Sequence, residues 1–189
     1  MKTKLIFILS LIAALTIGNI VLADSSKKTQ QQDNVRTMAE QKLAELYKLQ
    51  PKAKSAVQKA AGYAVFSNFG MKILVAGGGS GKGIAVNNKT RHETFMKMVE
   101  IQAGLGFGVK RFGLVWVFEK EKDLNGFVNS GWELGAQATA TAELDNQGGG
   151  FAGAVSISPG VWLYQIVGDG LALELTAKGT KYYKDSDLN

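Results

Sequence analysis

The chain contains no cysteine. That excludes disulfides, thiolate metal sites and cysteine nucleophiles together. Histidine occurs once, at His92, so zinc has no His pair and no imidazole has an evident catalytic partner. Serine never sits in a Gly-x-Ser-x-Gly elbow. No enzyme activity, metal or cofactor is expected from these residues. Charge is only mildly one-sided, with 22 Lys and Arg against 16 Asp and Glu. That permits attraction to anionic lipid or acidic polymer without demanding it. No dense basic run points to nucleic acid.

An uninterrupted apolar stretch of membrane-spanning length, about 20 residues, is also lacking. The run from Leu5 to Ile17 follows Lys2 and Lys4 and stops at Gly18 and Asn19. Val21-Leu22-Ala23 then offers small residues for cleavage. The pattern predicts a signal peptide over residues 1–23, cut after Ala23, and hence a periplasmic or secreted protein. No cysteine follows to carry a lipoprotein anchor. The remaining 166 of 189 residues suffice for one domain with a real core. Within them 24–32 is polar and is expected as a disordered leader.

Asp33 or Asn34 is expected to cap a helix, since Val35, Met38, Ala39, Leu43, Leu46 and Leu49 recur at helical spacing. Pro51 suits the first turn of a second helix reaching about Ala61, with Gly62 as its stop. From Gly62 to Gly179 the chain carries 22 of its 23 glycines among β-branched and aromatic residues. Strands are expected at 63–67, 72–76, 83–87, 94–101, 104–109, 114–118, 132–144, 151–158, 161–167 and 171–178. A short helix is expected between Glu119 and Ser130. Trp132–Leu144 alternates with period two, placing Trp132, Leu134 and four alanines on one face. Glycine inside strands implies bulges, corners or close backbone approach. The expected fold is α+β, with N-terminal helices packed on a curved, mostly antiparallel, barrel-like sheet.

Two glycine motifs invite nucleotide readings. In Ala76-Gly77-Gly78-Gly79-Ser80-Gly81-Lys82-Gly83, Ala76 stands where a phosphate loop needs glycine and Gly83 where it needs a hydroxyl. A flexible hairpin is expected instead. Gly104-Leu105-Gly106-Phe107-Gly108 lacks the helix that would receive a pyrophosphate, so packing is the better reading. Glu119 and Glu121 are expected to be solvated, and Glu133 and Glu143 have no partner for acid–base work.

A basic stretch is more suggestive. Lys48, Lys52, Lys54 and Lys59 lie in and around the second helix, with Lys52, Ser55 and Lys59 on one face and Ala53, Ala56, Val57 and Ala60 on the opposite, core-facing side. Such a helix suits anionic headgroups, each lysine contributing about 1 kcal/mol near a charged surface. A solvated outer face of a packed helix is the plainer alternative. Lys110 and Arg111, expected at a turn, are candidates for the same patch.

The ordered features resemble the SYLF domain in its small exported bacterial form, over residues 33–189. The resemblance rests on Lys59-Ala60-Ala61-Gly62-Tyr63-Ala64-Val65-Phe66, the glycine run 77–83, Gln102–Gly108, Asn129–Gly135, Gly170–Leu173 and Gly179-Thr180-Lys181. It implies a lipid-binding module, with phosphatidylinositol binding in eukaryotic relatives and membrane contact through basic residues such as 52, 54 and 59. The implied partner is an anionic phospholipid or membrane surface, and no nucleotide is implied. Relatives carry Trp-Ser and Pro after the glycine run, where this chain has Asn87–Glu93. A structural envelope protein with a protein partner is the alternative. An outer-membrane barrel is disfavoured because Leu114–Phe118 is apolar on both faces.

Overall fold

The computed structural model describes residues 2–73, 76–103, 108–134, 151–168, 170–172 and 180–189. Helix α1 spans Lys2–Leu49 and α2 spans Pro51–Lys59. Strands β1 (Gly62–Ile73), β2 (Ala76–Asn87), β3 (Glu93–Ala103) and β4 (Gly108–Phe118) follow. Helix α3 (Glu121–Ser130) precedes β5 (Trp132–Leu134), β6 (Val155–Ser158), β7 (Val161–Val167), β8 (Gly170–Ala172) and β9 (Thr180–Lys184). The strands form one curled antiparallel sheet in the order β5-β9-β3-β2-β1-β4-β7-β6, with β8 paired to β7. The α+β, barrel-like architecture expected from the sequence is what the chain adopts.

The sheet buries both faces. In β4, Leu114, Trp116 and Phe118 point to the concave interior and Val115 and Val117 to the other side, all buried. The same period of two sends Ala64 and Phe66 inward from β1 and Val65 outward. Helix α3 fills the interior with Leu124 and Phe127, packing Phe127 against Trp116, Phe118, Trp132 and Tyr182. Helices α1 and α2 cover the outer face with Val35, Ala39, Leu46, Ala53 and Val57. A strand buried on both sides has no polar face to show, which is why 114–118 reads as continuously apolar.

Several expectations need correction. Helix α1 runs unbroken through Asp33 and Asn34, so neither caps a helix; Asp33 instead accepts from Arg36 at 2.8 Å. Between Asp24 and Leu49 the chain has neither glycine nor proline to break a helix. The segment expected as a disordered leader is therefore helical, and it is tied down. Lys28 Nζ donates to the Asn189 carbonyl at 2.8 Å and Gln32 Nε2 to the Leu188 carbonyl at 2.7 Å.

Gly62 does not end α2, which stops at Lys59 with Ala60 already extended. Gly62 opens β1 instead, where a Cβ would lie 2.4 Å from the Val86 carbonyl oxygen and 2.6 Å from Leu124. The run Gly77–Gly83 is not a hairpin but part of β2, hydrogen-bonded between β1 and β3. Of the expected strand 132–144, Trp132–Leu134 pairs with β9; residues 135–144, like 104–107, lie outside the described ones.

Helix α3 matches expectation and carries Glu121 and Asp123 in its first turn, where they complement the helix dipole. Gly126 sits inside it, and a Cβ added there would meet nothing within 4 Å. Gly126→Ala should therefore stabilise the protein by about 0.5–1 kcal/mol, the helix-interior difference between the two residues. Urea unfolding checks this; a loss of stability would mean that α3 is not a solvated helix at that position.

The C-terminal residues clasp β3 and α1. Asp185 N donates to the Phe95 carbonyl, and Asn189 pairs with Phe95 in both directions through its side-chain amide. Lys97 Nζ reaches both the buried Asp185 and the exposed Asp187 at 2.8 Å. Its hydrogen bond to Asp185, then that to Asp187, raises the Lys97 pKa well above its ordinary 10.5. The bond from Lys97 in turn holds the Asp187 carboxyl below its ordinary 3.8. A depressed carboxyl contributes stability above its unfolded value and loses it as pH falls. A raised ammonium contributes below its unfolded value and loses it as pH rises. The clasp should thus hold across neutral pH and begin to fray below about pH 4. Hydrogen exchange at Leu188 and Asn189 reads this directly, and protection unchanged from pH 7 to pH 3 would contradict it.

Candidate functional site

Helix α2 is docked firmly on one side and bare on the other. Ala53, Ala56 and Val57 are buried, while Lys52, Lys54, Ser55, Gln58 and Lys59 are exposed. Pro51 at the first helical position costs no hydrogen bond there. The entry is fixed by Gln50 N donating to the Leu46 carbonyl at 2.7 Å. The exit is fixed by Ala61 N donating to Phe118 at 2.9 Å and by Asn88 Nδ2 donating to the Val57 and Ala60 carbonyls. Lys48, in the last turn of α1, is exposed just before this helix.

These lysines differ from the cations whose charge is paired within the protein, and among the described residues share their unpaired state with exposed lysines such as Lys89, Lys120 and Lys122. Arg36 is held by Asp33 and Glu93 and lies over the Phe95 ring, and the bond to Glu93 leads in raising its pKa. Lys42 pairs with Glu45, and Lys97 with two aspartates. Among the described residues, no hydrogen bond or ion pair occupies Lys48, Lys52, Lys54 or Lys59. Their charge is turned outward and unspent. Beneath them, burial pushes the Tyr47 hydroxyl up to about 12, with nearby Tyr63 adding to the shift.

Lys110 and Arg111 do not join this patch. They lie within β4, opposite Gly70 and Phe69 of β1, and not at a turn. Arg111 is seven residues from Phe118, where α2 makes its exit contact, or about 23 Å along an extended strand. The strand is longer at that end than its apolar core suggests, and the expected turn is therefore absent from that position.

His92 is exposed in the β2–β3 loop, as expected, and Glu119 and Glu121 are exposed. Glu119 accepts from Trp162 Nε1 at 2.8 Å. Among the described residues, no cluster of His, Asp or Glu is placed to hold a metal ion, and no helix is long and apolar enough to cross a membrane.

Comparison with known proteins adds a likeness to this geometry. The chain is similar to "Beta cell expansion factor A" of Aeromonas veronii. The two are 35% identical over 156 residues, which is 82% of this chain and 57% of that protein. The chain thus spans little more than half the length of the curated relative it matches. No family model matches it.

Proposed function

We propose that this chain is an exported, non-catalytic protein of the cell envelope that binds anionic membrane surface through α2, as a SYLF-type lipid-binding module. The observation that carries this reading is the bare cationic face of α2 over a tightly packed underside. A helix with buried alanines cannot roll to hide its lysines. Four ammonium groups within about three helical turns, none neutralised by protein carboxylates, favour a surface of fixed negative charge. The resemblance of the ordered glycine and aromatic segments to SYLF domains supports the same conclusion.

Flotation of the mature chain with vesicles tests it. Binding is expected to vesicles of phosphatidylcholine with phosphatidylglycerol and not to phosphatidylcholine alone, and to weaken with salt. At about 1 kcal/mol per lysine, the combined change K52Q, K54Q and K59Q should weaken binding by about two orders of magnitude. The pair K110Q and R111Q, remote from α2, should leave it within a factor of a few. Equal flotation of the triple variant and the parent would overturn the assignment to α2. Absence of binding to either vesicle would overturn the membrane reading, leaving a protein partner in the envelope as the alternative.

A further inference from the structure

A cleft of about 490 Å³ opens between α3 and the strand ends of β2, β3 and β9. It takes no part in the surface formed by α2. Ala85, Leu124 and Val128 give it an apolar strip, beside the buried Thr94 and the polar side chains of Thr90 and His92. Its charges sit at opposite ends. Glu121 is the first residue of α3, and Asn87 Nδ2 approaches its Oε1 only loosely, at 3.4 Å. At the other end Lys184 Nζ donates to Asn129 Oδ1 at 2.9 Å and retains two further donors. Eight residues at 1.5 Å each put these ends about 12 Å apart along the helix.

Asn125 lies midway, one turn from each end, since 121, 125 and 129 fall on one helical stripe. It is exposed, and its amide makes no hydrogen bond among the described residues. A side-chain amide offers one acceptor and two donors, which complements a peptide group. Acceptor charge at one end, donor charge at the other and an amide between them match a linear zwitterion with an amide backbone.

We propose that this cleft binds a short peptide with free ends, about three residues long. Its ammonium group lies at Glu121, its carboxylate at Lys184, and its central peptide unit against Asn125. Three extended residues span about 10 Å, and the two charged side chains close the remaining distance. The apolar strip of Ala85, Leu124 and Val128 accepts a small side chain from the middle residue. Inorganic phosphate would use only the Lys184 end. A sugar could hydrogen-bond to the same side chains but carries no terminal charges to match both ends.

Calorimetric titration of the mature protein with trialanine tests the proposal, alongside N-acetyl-trialanine and trialanine amide. One saturable site is expected for trialanine. Blocking either end should weaken it about tenfold, the effect of losing one charge-assisted hydrogen bond. Glu121→Gln should weaken trialanine to the same degree yet leave N-acetyl-trialanine unaffected. Lys184→Gln should do the same for the amide. The comparison of free and blocked peptides on the unaltered protein needs no variant to fold. No saturable binding, or equal affinity for free and blocked trialanine, would overturn the proposal, as would binding of chitotriose in its place. Because the cleft and α2 are separate, failure here leaves vesicle binding untouched, and the reverse holds equally.

Discussion

Replacing Trp116 by alanine is expected to destabilise the protein by about 3–5 kcal/mol, the range for truncating a large aromatic in a close-packed core. Trp116 is fully buried at the centre of the concave interior. Its ring lies 5.3 Å from Phe127, 5.6 Å from Trp132 and 5.2 Å edge-on from Tyr182. It therefore joins β4, α3, β5 and β9 in a single cluster. Yet among the described residues its buried indole Nε1 has no acceptor. An orphaned buried donor costs about 1–3 kcal/mol. Trp116→Phe removes that cost while keeping one ring in the cluster, so the lost volume and the relieved donor oppose each other. The phenylalanine variant should fall within about 1.5 kcal/mol of the parent, the usual range for a well-tolerated hydrophobic swap. Urea unfolding of both variants decides the matter. A phenylalanine variant that loses as much as the alanine variant would show that the retained ring contributes little and that relief of the N–H does not offset the lost volume.

The parts of this interior that can be read from sequence are those set by local pattern. The apolar run Leu114–Phe118, the helix around Leu124 and Phe127, and the amphipathic α2 all announce themselves by period and composition. What escapes is set by distant partners. Nothing near Gly77–Gly83 states that β1 and β3 will flank it, so a glycine run reads as a loop until its neighbours are known. The length of α1 escapes because polar residues 24–32 have no apolar stripe. They are held by Leu188 and Asn189, more than 150 residues away. The lysines of α2 are legible because helical period alone places them. Lys110 and Arg111 are misplaced by sequence reasoning because strand length depends on pairing. The cleft beside α3 is legible only in part. Asn125 and Asn129 share a helical face by spacing, but Lys184 reaches them through the β9 pairing.

The second large effect is expected at Gly83, where the sequence shows a strand glycine and the fold shows why. Gly83 stands directly opposite Phe66 in the β1–β2 register. A Cβ there would lie 2.3 Å from Phe66 Cδ1, 2.6 Å from its Cε1 and 2.4 Å from the Val65 carbonyl oxygen. The Phe66 ring thus lies folded over the glycine, and it is itself pinned edge-on against Tyr182 at 5.0 Å and Phe127 at 6.1 Å. A methyl group at this point has to displace a ring that has no free space, as well as a neighbouring strand's backbone. Gly83→Ala should cost about 3 kcal/mol, the upper part of the overpacking range, although alanine is ordinarily the better strand residue. The ring's share can be separated from the backbone's share by a double-mutant cycle with Phe66→Leu. If the ring dominates, Gly83→Ala should cost at least about 1 kcal/mol less in the leucine background, where the shorter side chain vacates the glycine face. If the carbonyl dominates, the two costs should be equal. A Gly83→Ala variant as stable as the parent would remove the close approach itself, and with it the reason that glycines run through β2.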